Sequence, residues 1–530
     1  MPTPYADGGA GRGNYAVFNA VRPGIGVGQS TLSNGNLTAT STAGGSWPEG
    51  AYSSIAVSSG KWYCEITPTS GIAVAGALIG VASASTSYWY YSFNGNKYTV
   101  TTNNGAYGAS YADNDVIGIA LDLDAGTLAF YKNGVSQGTA FSGLTGEWVF
   151  GVGDGSGGVT VLVAHANFGQ RPFAYTPPTG FKALNTQNLP EPTVARGNRH
   201  FDVVTRTGNN SSFSVTGLQF SPDFFWTKCR NTALAHYLAD TVRGDDNILF
   251  SNLTSAEFSE PQYITAISSD GYTLGAGSNA GNYNGTGGTY VDWLWKASDS
   301  AAVSNTAGSI TSTVSANPTA GFSVVTYTTT GSASTVGHGL GVAPRMLITK
   351  QRNGTTAWYT YHASIGATNF VLLNSTAAQA SSSVIWNNTA PTSSVFSLGS
   401  GFGSGETYVA YCFAPVAGYS AFGSYTGNGS TDGPFVFCGF RPKFVMIKVV
   451  NNTYDWEVAD SSRSPDNFVD DFLVPNSSAA ENANVGAANS IDFLSNGFKI
   501  RANWTRLNEA SGTYIYMAFA ENPFKNALAR

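Results

Sequence analysis

One arrangement of residues occurs three times in the C-terminal part of the chain, and it constrains the fold more than any other feature. Each copy has a proline, a short apolar run and a lysine six positions after the proline: Pro222–Lys228, Pro344–Lys350 and Pro442–Lys448. Each copy then closes on an apolar segment that begins Thr-Tyr: Thr289–Trp295, Thr407–Phe413 and Thr513–Phe519. The copies lie much further apart than the roughly 20–50 residues of a solenoid repeat, so we expect three similar domains in tandem.

The closing segments alternate in side-chain type with a period of two, which predicts β-strands with one packed face. The side chains on that face are Val291, Trp293, Trp295, Val409, Tyr411, Phe413, Ile515, Met517 and Phe519. A third shared element precedes each closing strand: Ser269–Leu274, Ser394–Leu398 and Ser495–Ile500. We therefore expect β-sandwich domains at 200–298, 321–419 and 420–530, with a linker at 299–320.

The lysines that end the three apolar runs are Lys228, Lys350 and Lys448. We expect them at strand ends, with the aliphatic stem packed and the ammonium group in water. The prolines are expected to begin their strands, where a missing N–H costs little.

The N-terminal third carries different strand patterns. The segment DVIGIALDLDAGTLAFYKNG at 115–134 predicts two strands joined by an Asp-Ala-Gly turn, and its final Asn-Gly predicts a hairpin into a third strand. Ile117, Ile119 and Leu121 share one face, so we expect the first of these strands to pack on one side. With GKWYCEI at 60–66 and NFGQRPF at 167–173, this meander resembles the SPRY domain. The resemblance implies a bent antiparallel β-sandwich over 14–182, after a flexible arm at 1–13 and before a linker at 183–199.

SPRY domains generally bind partners through loops at one edge of the sandwich and lack catalytic residues, which the resemblance implies for this chain. The candidate binding residues are the consecutive aromatics Tyr88, Trp89, Tyr90 and Tyr91. Four adjacent side chains cannot all face one core in an extended segment. We expect some of them to be exposed to a glycan or protein, or buried by another subunit. The alternative is a wide strand with both faces covered.

Charge and cysteine content exclude several partners. Charged residues make up 11% of the chain and its net charge is −6, without a dense Lys/Arg run, so we expect no nucleic-acid partner. The longest apolar stretch, Gly71 to Ala84, is too short to span a bilayer, and the N-terminus lacks a secretory signal, so we expect no membrane insertion. Cys64, Cys229, Cys412 and Cys438 have no metal-ligand spacing and are expected to be buried free thiols.

The sequence contains no recognisable catalytic or metal-binding motif. Its five histidines lack zinc-site spacing, and neither a nucleophile elbow nor a phosphate-binding loop occurs. The adjacent carboxylates Asp245-Asp246 and Asp470-Asp471 point to opposite sides if extended, which does not suit paired acid–base catalysis. We therefore expect no catalytic residues, no metal and no cofactor.

The whole arrangement resembles tail-fibre and related virion proteins of tailed bacteriophages. The resemblance runs from the SPRY-like part through RGNRHFDVVT at 196–205 to TYIYMAFAENPFK at 513–525. It implies a non-enzymatic structural protein on the virion surface that is made in the bacterial cytoplasm. Its implied partners are two further copies of itself, in a homotrimer, and other virion proteins.

Three functions stay open on the sequence. The leading hypothesis is a tail fibre that binds a host-surface glycan or protein, since abundant Ser, Thr, Asn and Tyr suit neutral hydrogen-bonding surfaces. The second is a head-decoration or tail-adaptor protein with a purely architectural role. The third is a polysaccharide depolymerase, although the chain lacks the short regular coils of a parallel β-helix.

Overall fold

The chain is seen in a computed structural model, which describes residues 14–19, 30–41, 49–83, 86–155, 161–277, 279–482 and 486–523. It divides into two compact units, Met1–Glu191 and Pro192–Arg530. The fold is 47% strand and 5% helix, which confirms the all-β prediction. Among the described residues, no helix has the length and apolar composition that crossing a bilayer requires. The arm predicted at 1–13 lies outside the described residues.

The described part of the first unit is a sandwich of two sheets, whose strands pair antiparallel except for β14. Its strands are β1 (Thr31–Ser33), β2 (Thr38–Thr40), β3 (Glu49–Tyr52), β4 (Lys61–Ser70), β5 (Ala77–Ala82), β6 (Ser87–Tyr91), β7 (Asn96–Thr99), β8 (Thr102–Ala106), β9 (Ile117–Asp122), β10 (Thr127–Lys132), β11 (Val135–Ser142), β12 (Val149–Asp154), β13 (Val163–Asn167) and β14 (Lys182–Ala183), with helix α1 (Ile72–Ala75). One sheet has the order β1-β2-β13-β4-β9-β10-β11, with β14 added in parallel to β4. The other has the order β3-β12-β5-β6-β7-β8.

The predicted meander is confirmed as β9, β10 and β11, and its Asn133-Gly134 turn has positive φ angles of 49° and 78°. The prediction that β9 packs on one face was wrong, because all six of its residues are buried. Gly118 lies on the second face, and the ring of Tyr63 packs directly against it. The small residues of this face leave room for that ring.

The segment predicted as a linker at 183–199 is largely anchored. Leu184 and Asn185 are buried in the first unit, where Asn185 pairs with Tyr15. Val194 is buried in the core of the second unit. Only the residues between these two anchors connect the units.

The second unit contains the three repeats. The first has β15 (Phe201–Thr207), β16 (Phe213–Thr216), β17 (Phe224–Cys229), β18 (Tyr237–Asp240), β19 (Gly244–Phe250), β20 (Phe258–Ser259), β21 (Ile264–Ser268), β22 (Gly271–Leu274), α2 (Ala280–Tyr283) and β23 (Thr289–Trp295). The second has β24 (Val303–Asn305), β25 (Ser312–Asn317), β26 (Phe322–Thr330), β27 (Ser334–Gly337), β28 (Met346–Gln351), β29 (Tyr359–His362), β30 (Asn369–Leu372), β31 (Ala380–Ser381), α3 (Ser383–Trp386), β32 (Val395–Leu398) and β33 (Ser404–Phe413). The third has β34 (Ser420–Thr426), β35 (Phe435–Phe437), β36 (Phe440–Val449), β37 (Trp456–Asp460), β38 (Ile491–Leu494), β39 (Gly497–Ile500), α4 (Thr505–Asn508) and β40 (Thr513–Pro523). Short 3-10 turns lie at Thr186–Asn188, Gly197–Arg199 and Ala487–Asn489.

The three repeats share one strand order and one register. The opening, closing and lysine-bearing strands lie side by side as β15-β23-β17, β26-β33-β28 and β34-β40-β36. The register pairs are Lys228 with Val291, Lys350 with Val409 and Lys448 with Ile515. Each repeat adds a second small sheet, so the predicted class of an SPRY-like sandwich followed by β-sandwich repeats is confirmed. The segment 299–320, predicted as a linker, instead supplies β24 and β25 to the second sheet.

The packed faces of the repeats meet in a single core. All nine side chains predicted for the closing strands lie in this core, together with Phe224 from β17. The Phe224 ring stacks on Tyr411 of the second repeat at 4.1 Å, and Phe201 stacks on Phe519 of the third at 4.9 Å. Each repeat also has a core of its own, formed by the opposite faces of its strands and its small second sheet. The boundaries predicted between the repeats stay predictions.

The repeats are joined in a closed cycle by one equivalent position, eight residues after each lysine. Trp358 donates its indole N–H to the Phe250 carbonyl of the first repeat at 2.8 Å. Trp456 donates likewise to Leu372 of the second repeat at 3.0 Å. The first repeat has His236 at this place, and its Nε2 lies 3.1 Å from the Val474 carbonyl of the third. Each repeat is therefore hydrogen-bonded to both of the others.

Two of the three junctions also carry a carboxylate held between two arginines. Glu257 of the first repeat contacts Arg243 of its own repeat at 2.7 Å and Arg352 of the second at 2.9 Å. Glu481 of the third repeat contacts Arg463 of its own repeat at 2.7 Å and Arg230 of the first at 2.6 Å. The third junction has Gln379 at the equivalent place, where its backbone N–H donates to the Val450 carbonyl at 2.7 Å.

The prediction that the repeated lysines reach water was wrong, because all three are fully buried. Each ammonium group donates to backbone carbonyls instead: Lys228 to Cys229, Lys350 to Gln351 and Lys448 to Tyr454. Burial lowers the pKa of each of these lysines to about 8. The prediction for the four cysteines is confirmed, since all are buried free thiols.

Candidate functional site

The predicted binding residues Tyr88, Trp89, Tyr90 and Tyr91 form β6, an internal strand of the six-stranded sheet. Tyr88 faces the opposite sheet, where its ring stacks on Phe141 at 4.4 Å. Trp89 lies on the other face against Tyr52 and is fully buried.

The expectation that these aromatics are exposed was therefore wrong for three of the four. Trp89 and Tyr90 are 0% exposed and Tyr91 is 8% exposed, while Tyr88 is half-buried. The strand has neighbours on both sides and packed side chains on both faces, so the alternative of a wide covered strand describes it. The prediction that these residues bind a ligand stays untested.

Tyr90 nevertheless supports an exposed segment of the same unit. Its hydroxyl donates to the backbone carbonyl of Ala109. The hydroxyl of Tyr111 donates to the carbonyls of Ala77 at 2.8 Å and of Tyr90 at 2.9 Å. Burial raises the pKa of both tyrosines, so both hydroxyls keep the proton that they donate. The chain around 107–111 is thereby held to the sandwich from beneath.

We call the exposed region above this anchor the edge surface, defined as residues 102–110 and 135–139. It consists of β8, the segment that follows it and the first part of β11, each strand being the last of its own sheet. All five residues of β8 are exposed. Neither segment contains a charged residue, and both are rich in Asn, Gly, Ser, Thr and Gln. The edge surface is therefore polar and uncharged.

Two hydrogen bonds join the two halves of the edge surface. The hydroxyl of Tyr107 donates to the Gly138 carbonyl at 2.5 Å, and the backbone N–H of Ala109 donates to Oε1 of Gln137 at 2.9 Å. Burial raises the pKa of Tyr107 to about 12, so this phenol stays protonated at neutral pH. The nearby ammonium groups of Lys97 and Lys132 donate to the carbonyls of Ala140 and Ser110, both at 2.7 Å. Both ammonium groups therefore point at backbone carbonyls and not at the edge surface's exposed side chains.

The edge surface has the groups needed for binding an uncharged partner. β8 pairs with β7 on one side only, so its other edge presents backbone N–H and C=O groups. Such an edge can accept an extended peptide, and exposed amides and hydroxyls can hydrogen-bond to a glycan. Val135 is 65% exposed and adds an apolar contact.

Three of the histidines and the carboxylate of Asp122 have structural partners. His236, His338 and His362 each lie against a backbone carbonyl. Burial lowers the pKa of His362 to about 4, so its ring is neutral at physiological pH. Asp122 pairs with Lys61 at 2.8 Å and accepts two backbone N–H bonds of the turn that follows β9. Within the described ranges, no three His, Cys, Asp or Glu residues come together as a metal site would need.

Sequence reasoning missed the edge surface, although a signal was present. The stretch Thr102–Ser110, TNNGAYGAS, is uncharged and dense in turn-forming residues, which is typical of an exposed connection. The aromatic run drew attention instead, because aromatic residues are frequent at binding sites. They are equally frequent in cores, and here they build the layer beneath the site.

Comparison with known proteins gives matches for both units. The family model described as "Domain of unknown function (DUF7483)" matches residues 196–523, and the SPRY domain model matches residues 62–158. The N-terminal unit thus carries an SPRY domain, as the sequence resemblance predicted.

The individual relatives are similar over the SPRY part. The E3 ubiquitin-protein ligase RKP of Arabidopsis thaliana is 34% identical over 142 residues, which is 24% of this chain and 10% of that protein. The Ran-binding proteins 9/10 homolog of Drosophila melanogaster is 36% identical over 89 residues, 17% of this chain and 9% of that protein. The chain therefore spans about a tenth of the length of these relatives.

Solved structures match over the same region. The crystal structure of the SPRY domain of human HERC1 is 21% identical and has a TM-score of 0.25, with 29% of this chain and 99% of that chain covered. The crystal structure of a human SPRY domain is 16% identical with a TM-score of 0.20, covering 26% of this chain and 94% of that chain.

Proposed function

The chain belongs to the family of the domain of unknown function DUF7483. Because it combines that domain with an SPRY domain, we propose that it is a non-enzymatic binding protein. In this proposal the SPRY unit contacts a macromolecular partner through the edge surface. The three-repeat unit is the structural part. The relatives match this chain over only about a tenth of their own length, so their whole-protein activities are not part of the proposal.

The observation that carries the proposal is the construction of the edge surface. It joins the last strands of two sheets, lacks charged residues, and is fixed from beneath by Tyr90 and Tyr111. A surface that is already ordered loses little conformational entropy when a partner binds. An uncharged polar surface favours partners that offer hydrogen bonds rather than charge.

The construction of the second unit supports its structural role. Each of its repeats is hydrogen-bonded to the other two. Charged side chains at the junctions between repeats form ion pairs, such as Glu257 with Arg352. Large aromatic side chains fill the shared core. Burial of these apolar side chains stabilises the fold. It also places few polar side chains where they could take part in a reaction.

A more specific form of this proposal is that the chain is a tail fibre of a tailed bacteriophage and adsorbs to a host surface. Its support is the sequence resemblance over almost the whole chain, together with the uncharged edge surface, which suits a surface glycan or protein. A virion location and a homotrimeric state are part of this proposal.

Adsorption of the fluorescently labelled full chain to a panel of bacterial strains tests it. Saturable binding to some strains, in competition with infection by a phage that uses those strains, is the expected result. Binding that is absent from all strains, or that never saturates, would overturn the adsorption role and leave the architectural alternative. Release of reducing sugar from the bound cells would instead support the depolymerase.

A further inference from the structure

The third repeat contains a segment that the other two lack. Phe250, whose carbonyl joins the first repeat to the next, lies ten positions after Asp240, and Val474 lies fourteen positions after the equivalent Asp460. The second repeat agrees with the first in this spacing, from His362 to Leu372. The additional residues fall within 464–472, and this segment includes Phe468, which is 43% exposed.

A second difference lies at the end of the neighbouring sheet. The shared element that precedes the closing strand ends in Leu274, Leu398 or Ile500, and the next residue is Gly275, Gly399 or Arg501. Only the third repeat therefore has a cation at this place. The Arg501 side chain is 52% exposed, and its Nε donates to Oδ2 of Asp492 at 2.5 Å.

These two differences meet in one cavity of about 430 Å³. It is lined by Asn467, Phe468, Asp492, Leu494 and Arg501. Its volume falls within the roughly 300–1,000 Å³ usual for small-molecule sites.

The cavity wall is held in place by hydrogen bonds to β38. The Asn467 amide donates to the Phe493 carbonyl at 2.9 Å and accepts from the Phe493 N–H at 2.8 Å. Val469 is fully buried and exchanges two backbone hydrogen bonds with Ile491. Phe468, between these two anchors, is thus presented on a fixed segment.

The lining combines an apolar face with a charge-neutral polar face. Phe468 and Leu494 supply the apolar side. The polar side has one cation and one anion already paired with each other, so a phosphate or sulfate would compete with Asp492 for Arg501. A ligand with hydroxyl groups can instead donate to the carboxylate and accept from the guanidinium without disturbing the pair.

We propose that this cavity of the third repeat binds a neutral pyranose unit of a glycan. A pyranose ring has an apolar C–H face that packs on an aromatic ring, and a rim of hydroxyls that both donate and accept hydrogen bonds. The cavity and the edge surface belong to different units of the chain. The proposal for the cavity does not depend on the function proposed for the edge surface.

Saturation-transfer NMR with the full chain tests the proposal, using methyl glycosides and disaccharides of glucose, galactose, mannose and N-acetylglucosamine as probes. We expect signal transfer to at least one neutral probe at millimolar concentration. Inorganic sulfate and glucuronic acid serve as charged probes. Transfer to no neutral probe, or displacement of the neutral probe by sulfate, would overturn the proposal.

Two variants place the binding in the cavity. F468A removes the aromatic face, and R501G restores the residue type of the other two repeats; each should weaken binding about tenfold or more. V342A is the matched control, because Val342 is also a large exposed side chain, at 48%, but lies in the second repeat. Equal binding by F468A and the unchanged chain, with the same thermal midpoint, would contradict the assignment.

Discussion

Replacement of Lys350 by methionine should change how the stability of the chain depends on pH. The Lys350 side chain is fully buried, and its ammonium group donates to the carbonyls of Gln351 at 2.7 Å and Gly354 at 3.1 Å. Burial lowers its pKa to about 8, against the opposing effect of the Glu257 carboxylate. Methionine has a similar length but no charge, so K350M removes the titration.

The magnitude follows from the difference between the folded and unfolded pKa values. Between about pH 8 and the unfolded value near 10.4, the unfolded chain keeps a proton that the folded chain has released. The free energy of unfolding contributed by this lysine therefore rises with pH, by up to about 1.4 kcal/mol for each pH unit. Between about pH 7 and pH 9.5 the contribution is roughly 2 kcal/mol.

Urea unfolding of the unchanged chain and of K350M, at both pH values, measures this effect. The difference in unfolding free energy between the two chains should grow by roughly 2 kcal/mol at the higher pH. Buried thiols and phenols also titrate in this range, but they are the same in both chains and cancel in the difference.

An internal control uses the lower pH range. Between about pH 5.5 and pH 7 the lysine is protonated in both states, so the difference between the chains should stay constant. Lys228 and Lys448 occupy equivalent positions and should repeat the result. A difference that does not change up to about pH 9.5 would refute the reasoning, because it would mean that the buried ammonium group is not destabilised by burial.

Three further changes have defined outcomes. Glu257→Gln should lower the free energy of unfolding by about 1–3 kcal/mol, since it removes the charged partner of Arg352 and one of the two carboxylates that pair with buried Arg243; Gln379→Ala at the equivalent junction should cost less than about 1 kcal/mol in the same urea titration. Tyr90→Phe removes the hydrogen bond to Ala109 and should speed amide hydrogen exchange in residues 107–111, with a loss of about 1 kcal/mol; unchanged exchange would contradict the anchoring role. Burial raises the pKa of Glu457 to about 8, so its contribution to the free energy of unfolding should fall as pH rises from about 4.5 to 8; the difference in unfolding free energy between the unchanged chain and Glu457→Gln, measured at both ends of the range, should fall accordingly, and a constant difference would contradict the shift.

Much of the fold could be predicted from the sequence, because period-two alternation marks packed strand faces directly. The closing strands, their inward side chains and the equivalence of the three repeats follow from that pattern. Closure of the repeats around one core could not be predicted, since it depends on cross-repeat bonds such as Trp358 to Phe250, between residues far apart in sequence.

The buried lysines and the aromatic run show why single residues were misjudged. A lysine at a strand end usually extends to water, but Lys228 finds backbone carbonyls of its own following loop within reach. Tyr88 to Tyr91 were expected at a surface because one core face cannot hold four rings. The strand has two covered faces, and that depends on the neighbouring strands rather than on the run itself.

The candidate cavity of the third repeat was also beyond sequence reasoning. Phe468 and Arg501 are separated by more than thirty residues, and neither belongs to a recognisable motif. Their proximity becomes visible only when the four additional residues are placed against β38.

The most direct test of the central claim measures binding of edge-surface variants to a strain or receptor that binds the unchanged chain. Asn104→Lys with Ser136→Lys places two charges on exposed positions of the edge surface, while Thr31→Lys places one on β1, the exposed strand at the opposite end of the sheet that contains β11. The double variant should bind at least about tenfold more weakly, and Thr31→Lys should bind normally. Full binding by the double variant, with an unchanged thermal midpoint, would contradict the claim that the SPRY unit contacts its partner through the edge surface.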